Sequence, residues 1–380
     1  MAITEPSQVT SLEAVLQTIR PAVRAEHPYL VGGTDTPVKL NQNESPFDLP
    51  ADLKAELLDA FARVDFNRYP TEQPDRLRHA LADALACDPE GLLIGNGSNE
   101  LTYTLGLVLI DPGTPVVLPR PMFSLYEKVV RLFDGALTPV PPRPDLRFDT
   151  EGLLAAVRAA RPALVVLTTP NNPTGLAMTP DEVEAVVAEA APGFVVVDEA
   201  YVEFNEAGTV QPLLEAYPNL LVMRTFSKAY GLAGLRIGYL MGHPAVIREF
   251  GKSRLPFMVD RLAEMTACAL LARPALIRER VAAMRAARQE LEAMLTALDG
   301  VEVVPSQTNF MLFRTPVEPA LLMARLAEQG VLVRNMGGYP ELKGYLRVNA
   351  GTPAENKAFR AALESALQEP VTAPDASPSS

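Results

Sequence analysis

Cysteine and histidine are scarce in this chain, and no apolar run is long enough to span a bilayer. Two cysteines, Cys87 and Cys268, occur in 380 residues. They stand far apart in apolar helical surroundings and read as buried free thiols of a reducing compartment rather than as a disulfide. Three histidines, His27, His79 and His243, show no ligand spacing, so no metal site is expected. The basic excess that nucleic acid or acidic lipid would require is also missing: the formal net charge is -12. The first residues, MAITEPSQVT, contain neither a basic stretch nor an apolar core. No signal peptide is expected there, and a cytoplasmic protein is.

What is present is a globular composition, 48% hydrophobic and 21% charged, long enough for a large domain and a smaller one. Short apolar runs alternate with amphipathic stretches, the mark of an α/β fold. Strands are predicted at Leu92–Ile94, Val116–Leu118, Ala163–Thr168, Phe194–Val197, Leu220–Arg224 and Ile237–Met241. Crossover helices are predicted at Asp149–Ala160 and Thr179–Ala191. Beyond about residue 256 two long helical patterns, Leu262–Leu271 and Leu276–Leu298, precede strands at Val301–Val304, Phe310–Phe313, Val331–Arg334 and Tyr345–Val348. The expected division is a large domain over 45–255 and a smaller one over 11–44 and 256–368. Residues 1–10 are expected to be flexible, and the Pro-, Ala- and Ser-rich tail 369–380 disordered.

The chemistry gathers just after the β runs, where ligands bind in an open parallel sheet. Lys228, in the run Thr225–Gly238, is enclosed by apolar residues and glycines, with Ser227 before it and Arg236 eight positions later. That setting suits a desolvated amine able to condense with an aldehyde, beside groups that hold a phosphate; pyridoxal 5'-phosphate (PLP) carries both functions. A lysine reaching outward from a core strand end is the plainer alternative. Gly95–Glu100 opens a helix with glycines that let backbone amides approach an anion, and Ser98 and Asn99 add donors; an ordinary capped helix start looks the same.

Asp198 closes an apolar run, where a carboxylate is costly unless paired. A protonated pyridine nitrogen is one partner and a helix N-cap role another, with Tyr201 placed to reach a phenolic oxygen. Asn172, in Asn172–Gly175, sits in a turn after a core strand. Phe123 can stack on a ring or simply pack. Tyr69, in Arg68–Pro70, is a phosphate donor or part of a simple turn. Arg334 and Arg347, in strand-like runs of the smaller region, form either a shared anion clamp or surface ion pairs.

Together with Asn41–Pro46 and Leu346–Asn356, these segments resemble the fold-type I PLP aminotransferases of the class I/II group, from about Tyr29 to Leu367. Within that group the resemblance is to the histidinol-phosphate aminotransferase family. It implies a large domain with a mostly parallel central sheet flanked by helices, plus a smaller α+β domain. It implies Lys228 as the lysine joined to the cofactor and Asp198 as partner of its ring nitrogen. Asn172 and Tyr201 would then bond its phenolic oxygen, with Phe123 stacked on the ring. Gly97, Ser98, Asn99, Ser227 and Arg236 would hold the phosphate, and Tyr69 the phosphate of a neighbouring subunit in a homodimer. Tyr29, Arg334 and Arg347 would contact substrate, histidinol phosphate or 2-oxoglutarate and glutamate. Two positions depart from the pattern: Asn99 stands where aspartate is frequent, and Met258 where asparagine is expected. An aromatic or broad-specificity aminotransferase and a threonine-phosphate decarboxylase are the alternatives, although the His-Gly-Gly signature of the latter is missing. A cofactor-sensing regulator would need an appended DNA-binding domain, for which the N-terminal length leaves no room.

Overall fold

The computed structural model describes residues 11–28 and 36–368. Tyr29 and the ends expected to be loose, 1–10 and 369–380, lie outside the described residues. The first strand, β1 (Val38–Lys39), belongs to the smaller part of the molecule. The next seven, β2 (Leu92–Gly95), β3 (Pro115–Pro119), β4 (Ala136–Val140), β5 (Leu164–Thr168), β6 (Phe194–Asp198), β7 (Leu220–Thr225) and β8 (Gly238–Met241), form one sheet. Their lateral order is β2-β8-β7-β6-β5-β3-β4. All pairings are parallel except those of β8, which runs antiparallel to both β2 and β7.

The sequences LVVLT of β5 and LLVMRT of β7 are buried along their whole length, as strands covered on both faces must be. Helices Thr150–Ala160 and Pro180–Ala190 pack on each other and cover the sheet through Leu153, Val157, Val183 and Val187. The second of them starts at a reciprocal cap, Thr179 with Glu182, followed by Pro180 at the first helical position.

A second, antiparallel sheet is built from β9 (Glu302–Val304), β10 (Phe310–Arg314), β12 (Arg334–Asn335) and β13 (Tyr345–Asn349), in the order β12-β13-β10-β9. Between them β11 (Val331–Leu332) pairs with β1 in parallel. The single strand expected at Val331–Arg334 is thus two, each half serving a different sheet.

The packing departs from the expected division in two places. Val259, Ala263, Ala267, Leu270 and Ile277 join the core of the seven-stranded sheet, although they follow residue 256. Residues 20–28 lie against the helix Leu125–Leu132 of that same part: Arg20 bonds the Leu132 carbonyl, and Glu26 pairs with Arg131 at 2.6 Å. Among the described residues of the N-terminal region, Leu40 and the partly buried Val38 enter the smaller core. The helix Pro274–Thr296 joins the two: Ile277 sits in the larger core, Leu291 and Leu295 in the smaller, and Met284 between them with Tyr201 and Phe310.

Candidate active site

The carboxyl ends of the parallel strands form one rim. After β2, Gly97 adopts φ +79 and starts the helix Ser98–Leu109. A Cβ there would stand 2.5 Å from Arg236 Nη2, so only glycine admits the guanidinium so close to the helix N-terminus. Arg236 Nη1 donates to Ser227 Oγ at 3.3 Å and to the Ala233 carbonyl at 3.1 Å. Gly238 is equally confined, since a Cβ would meet Ser98 N at 2.3 Å. Gly97, Ser98, Ser227 and Arg236 therefore converge on a helix N-terminus with an exposed cation, the chemistry of a phosphate cup. Asn99, in the first turn of that helix, is exposed.

Asp198 ends β6 and is 8% exposed. Tyr126 donates to its Oδ2 at 2.7 Å, and the Ala200 N–H to its Oδ1 at 3.0 Å. Burial pushes its pKa up, and these two donors pull against that. The next carboxylate, Glu199, faces away into the core, where it pairs with Arg224 at 2.9 Å.

Lys228 follows β7 and is half-buried, with Nζ donating to the Gln42 carbonyl at 3.1 Å. Burial, and next the Arg347 charge, push its amine down to about 8. Its Nζ lies 5.9 Å from the centre of the Tyr201 ring. The Tyr201 hydroxyl accepts from Asn43 Nδ2 at 2.9 Å, and its ring meets Phe310 edge-on at 5.4 Å. Asn172, after β5, accepts from Arg347 Nη1. Arg347 also donates to the Asn41 carbonyl at 3.1 Å and lies over the Phe310 ring at 5.2 Å. Arg334 is directly opposite Arg347 across β12–β13, which puts both side chains on one face. Phe123, half-buried beyond β3, meets Tyr126 edge-on at 6.5 Å.

Tyr69 is placed apart from this cluster. It is 77% exposed and stacks on Phe257 at 4.8 Å; Phe66 and Leu255, near them in sequence, are exposed as well. Met258 approaches the rim through its carbonyl, which accepts from Asn96 Nδ2 at 3.1 Å. Two residues to which the sequence assigns no individual role complete the site, Tyr126 and Asn43, the latter within the segment Asn41–Pro46. Tyr126 sits on an amphipathic helix where its spacing reads as core, and Asn43 bonds a residue 158 positions away. Among the described residues no group of His, Cys, Asp and Glu could hold a metal ion, and no helix is long and apolar enough to cross a membrane.

A mostly parallel sheet whose rim carries a lysine, a buried carboxylate and an anion cup defines a known class, and the chain belongs to aminotransferase class I and II, whose family model matches residues 35–363. It is 42% identical to the histidinol-phosphate aminotransferase of Chlorobium phaeovibrioides, over 92% of this chain and 97% of the relative. It is likewise 42% identical to that of Chlorobaculum tepidum, over 89% of this chain and 97% of the relative. The crystal structure of histidinol-phosphate aminotransferase from Sinorhizobium meliloti with pyridoxal 5'-phosphate superposes with a TM-score of 0.83. Identity there is 29%, with 91% of this chain and 96% of the other covered. The residues of the rim fit that cofactor: a glycine cradle for its phosphate, a buried carboxylate for a protonated ring nitrogen, and an amine whose neutral form is favoured.

Proposed function

We propose that the protein catalyses PLP-dependent amino transfer between L-histidinol phosphate and 2-oxoglutarate, giving imidazole-acetol phosphate and L-glutamate, in L-histidine biosynthesis. The observation that carries the substrate reading is the pair Arg334 and Arg347, side by side on one face with Arg347 bonded to Asn172. Two guanidinium forks at one site suit a phosphomonoester in one half-reaction and a carboxylate in the other. The high identity to histidinol-phosphate aminotransferases over nearly their full length supports the same substrate.

Bound at the rim, PLP supplies an aldehyde for the substrate amine and a ring that accepts electrons from the α-carbon. Gly97, Ser98, Asn99, Ser227 and Arg236 would hold its phosphate, and Phe123 would pack on its ring. Asp198 would pair with a protonated ring nitrogen, and the Tyr126 hydroxyl and the Ala200 N–H favour its ionised form against the effect of burial. With its Oδ1 taken by Arg347, Asn172 has its NH2 left to donate to the phenolic oxygen, beside Tyr201. Lys228 Nζ would hold the cofactor's aldehyde end and would serve as the base that takes the substrate's α-proton and the acid that returns one. An amine near 8 has a neutral form within reach at neutral pH, which this exchange requires.

Tyr29, outside the described residues, is assigned with Arg334 and Arg347 to substrate. The exposed Tyr69 is assigned to the phosphate site of a second copy, in a cytoplasmic homodimer; its exposure together with the stacked Phe257 supports that reading. The two cores are read as two domains, the smaller built around β9, β10, β12 and β13.

The test is a pair of half-reactions on the cofactor-loaded protein. Histidinol phosphate should bleach the cofactor's visible band rapidly, and 2-oxoglutarate should restore it. Bleaching by phenylalanine and tyrosine alone would make this an aromatic aminotransferase. Release of carbon dioxide from phosphothreonine, with no need for a keto acid, would make it a decarboxylase.

A further inference from the structure

Three consecutive residues of one segment each touch a different group of the site. The Asn41 carbonyl accepts from Arg347 Nη2 at 3.1 Å, the Gln42 carbonyl from Lys228 Nζ at 3.1 Å, and Asn43 Nδ2 donates to the Tyr201 hydroxyl at 2.9 Å. The segment is carried by the smaller part of the molecule: Leu40 bonds the Leu332 carbonyl at 2.9 Å and accepts from Asn349 N at 3.0 Å. Asn43 itself is pinned through its main chain, its N–H to Asn349 Oδ1 at 3.1 Å and its carbonyl to Asn309 Nδ2 at 3.2 Å. It is 1% exposed and holds φ +55, a left-handed conformation that asparagine tolerates better than most residues.

We propose that Asn43 is a positioning residue for Tyr201: by donating to the phenol oxygen, it directs the phenol's own proton into the site. This rests on the reading of Tyr201 as a donor to the cofactor's phenolic oxygen. The Tyr201 ring is held edge-on to Phe310, and the Asn43 amide meets its hydroxyl. A hydroxyl has one proton and two acceptor lone pairs. With Asn43 occupying a lone pair, the proton goes to another acceptor. The reverse arrangement, in which Tyr201 donates to Asn43, would strand a buried N–H, which is rarer in folded proteins than the under-used carbonyl oxygen that Asn43 Oδ1 presents. The segment held by the smaller part of the molecule would thereby act, through Tyr201, on the electronics of the cofactor's ring.

A hydrogen bond donated to the cofactor's phenolic oxygen favours its ionised form, so loss of the donor raises the pH midpoint of the bound cofactor's visible band. Tyr201→Phe should raise that midpoint by about one pH unit. Asn43→Asp keeps shape and tolerates the backbone but accepts where asparagine donates; it should raise the midpoint as much. Asn43→Gly removes the donor without strain and should raise it by roughly half as much. The double variant Asn43→Asp with Tyr201→Phe should match Tyr201→Phe alone, because the two act through one bond. A wild-type midpoint in both Asn43 variants, with Tyr201→Phe shifted, would overturn the proposal, as would additive shifts in the double variant. An unshifted Tyr201→Phe would sink the assignment of Tyr201 and this proposal with it. Should Asn43→Asp not fold, Asn43→Gly with its double variant decides by the same comparison.

Discussion

The site has two walls, built in opposite ways. The wall on the seven-stranded sheet places Gly97, Asn172, Asp198 and Lys228 at or just past the ends of separate strands. Each is local to its strand, and the parallel topology alone carries them to one rim. The facing wall, of Asn41, Gln42, Asn43 and Arg347, is assembled from distant parts of the chain; Arg347 and the Asn41 carbonyl that it bonds are 306 positions apart. On the proposed reading, the first wall would supply the reacting amine and the buried carboxylate, and the second the Arg347 guanidinium and the contacts that orient them. A fold can thus keep its chemistry on robust local motifs while its specificity depends on how a smaller sheet is docked.

The sharpest way to separate the walls is to remove the amine from the first. Lys228→Ala should lower the rate of amino transfer by roughly 10³-fold or more, since no other base stands in its place. The cofactor-free protein should melt no earlier than the parent, because the amine lost is one whose charged form burial disfavours. Transfer within tenfold of the parent would move the chemistry off this rim.

That first wall was also the readable one. Strands β2, β3 and β5–β8 announce themselves as apolar runs because both their faces are covered; Asp198 stands out as a carboxylate closing such a run, and Asn172 and Lys228 lie in the turns just past two others. Strand β4 escaped notice: ALTPV carries a proline, lies at the sheet edge and is largely half-buried or exposed, so it has no such run. Helix Arg261–Leu271 was readable as a helix but not as a neighbour of the larger core, since periodicity tells which face is buried and not against what. The role of Tyr126, and that of Asn43 within the segment Asn41–Pro46, are not legible for a related reason. Their roles lie in single hydrogen bonds to residues 72 and 158 positions away, and no local pattern encodes such a bond.

The arginine that joins the walls is the next test. Arg347→Lys keeps the charge but loses the fork that engages both Asn172 and the Asn41 carbonyl. Transfer efficiency, kcat/KM, should fall about 10²-fold for histidinol phosphate and for 2-oxoglutarate alike. If only one of the two falls, Arg347 does not serve both half-reactions, and Arg334 becomes the group that separates them.

The smallest effect expected is at Tyr126, and it is read best against pH. Burial raises the Asp198 pKa, and the Tyr126 hydroxyl works in the opposite direction by favouring the ionised carboxylate. Tyr126→Phe therefore raises the Asp198 pKa further. Below that pKa the carboxyl is neutral and no longer a counter-ion for a protonated ring, so cofactor affinity falls as pH drops through it. The variant's affinity should begin to fall at a higher pH than the parent's, with about a tenfold deficit at the acid end and near-parity well above it. A deficit constant across pH would mean that Tyr126 merely fills space beneath Phe123. In that case the charge state of Asp198 would have to be maintained by the Ala200 N–H and the cofactor alone, and the rim would carry all its electrostatics on groups within its own strands.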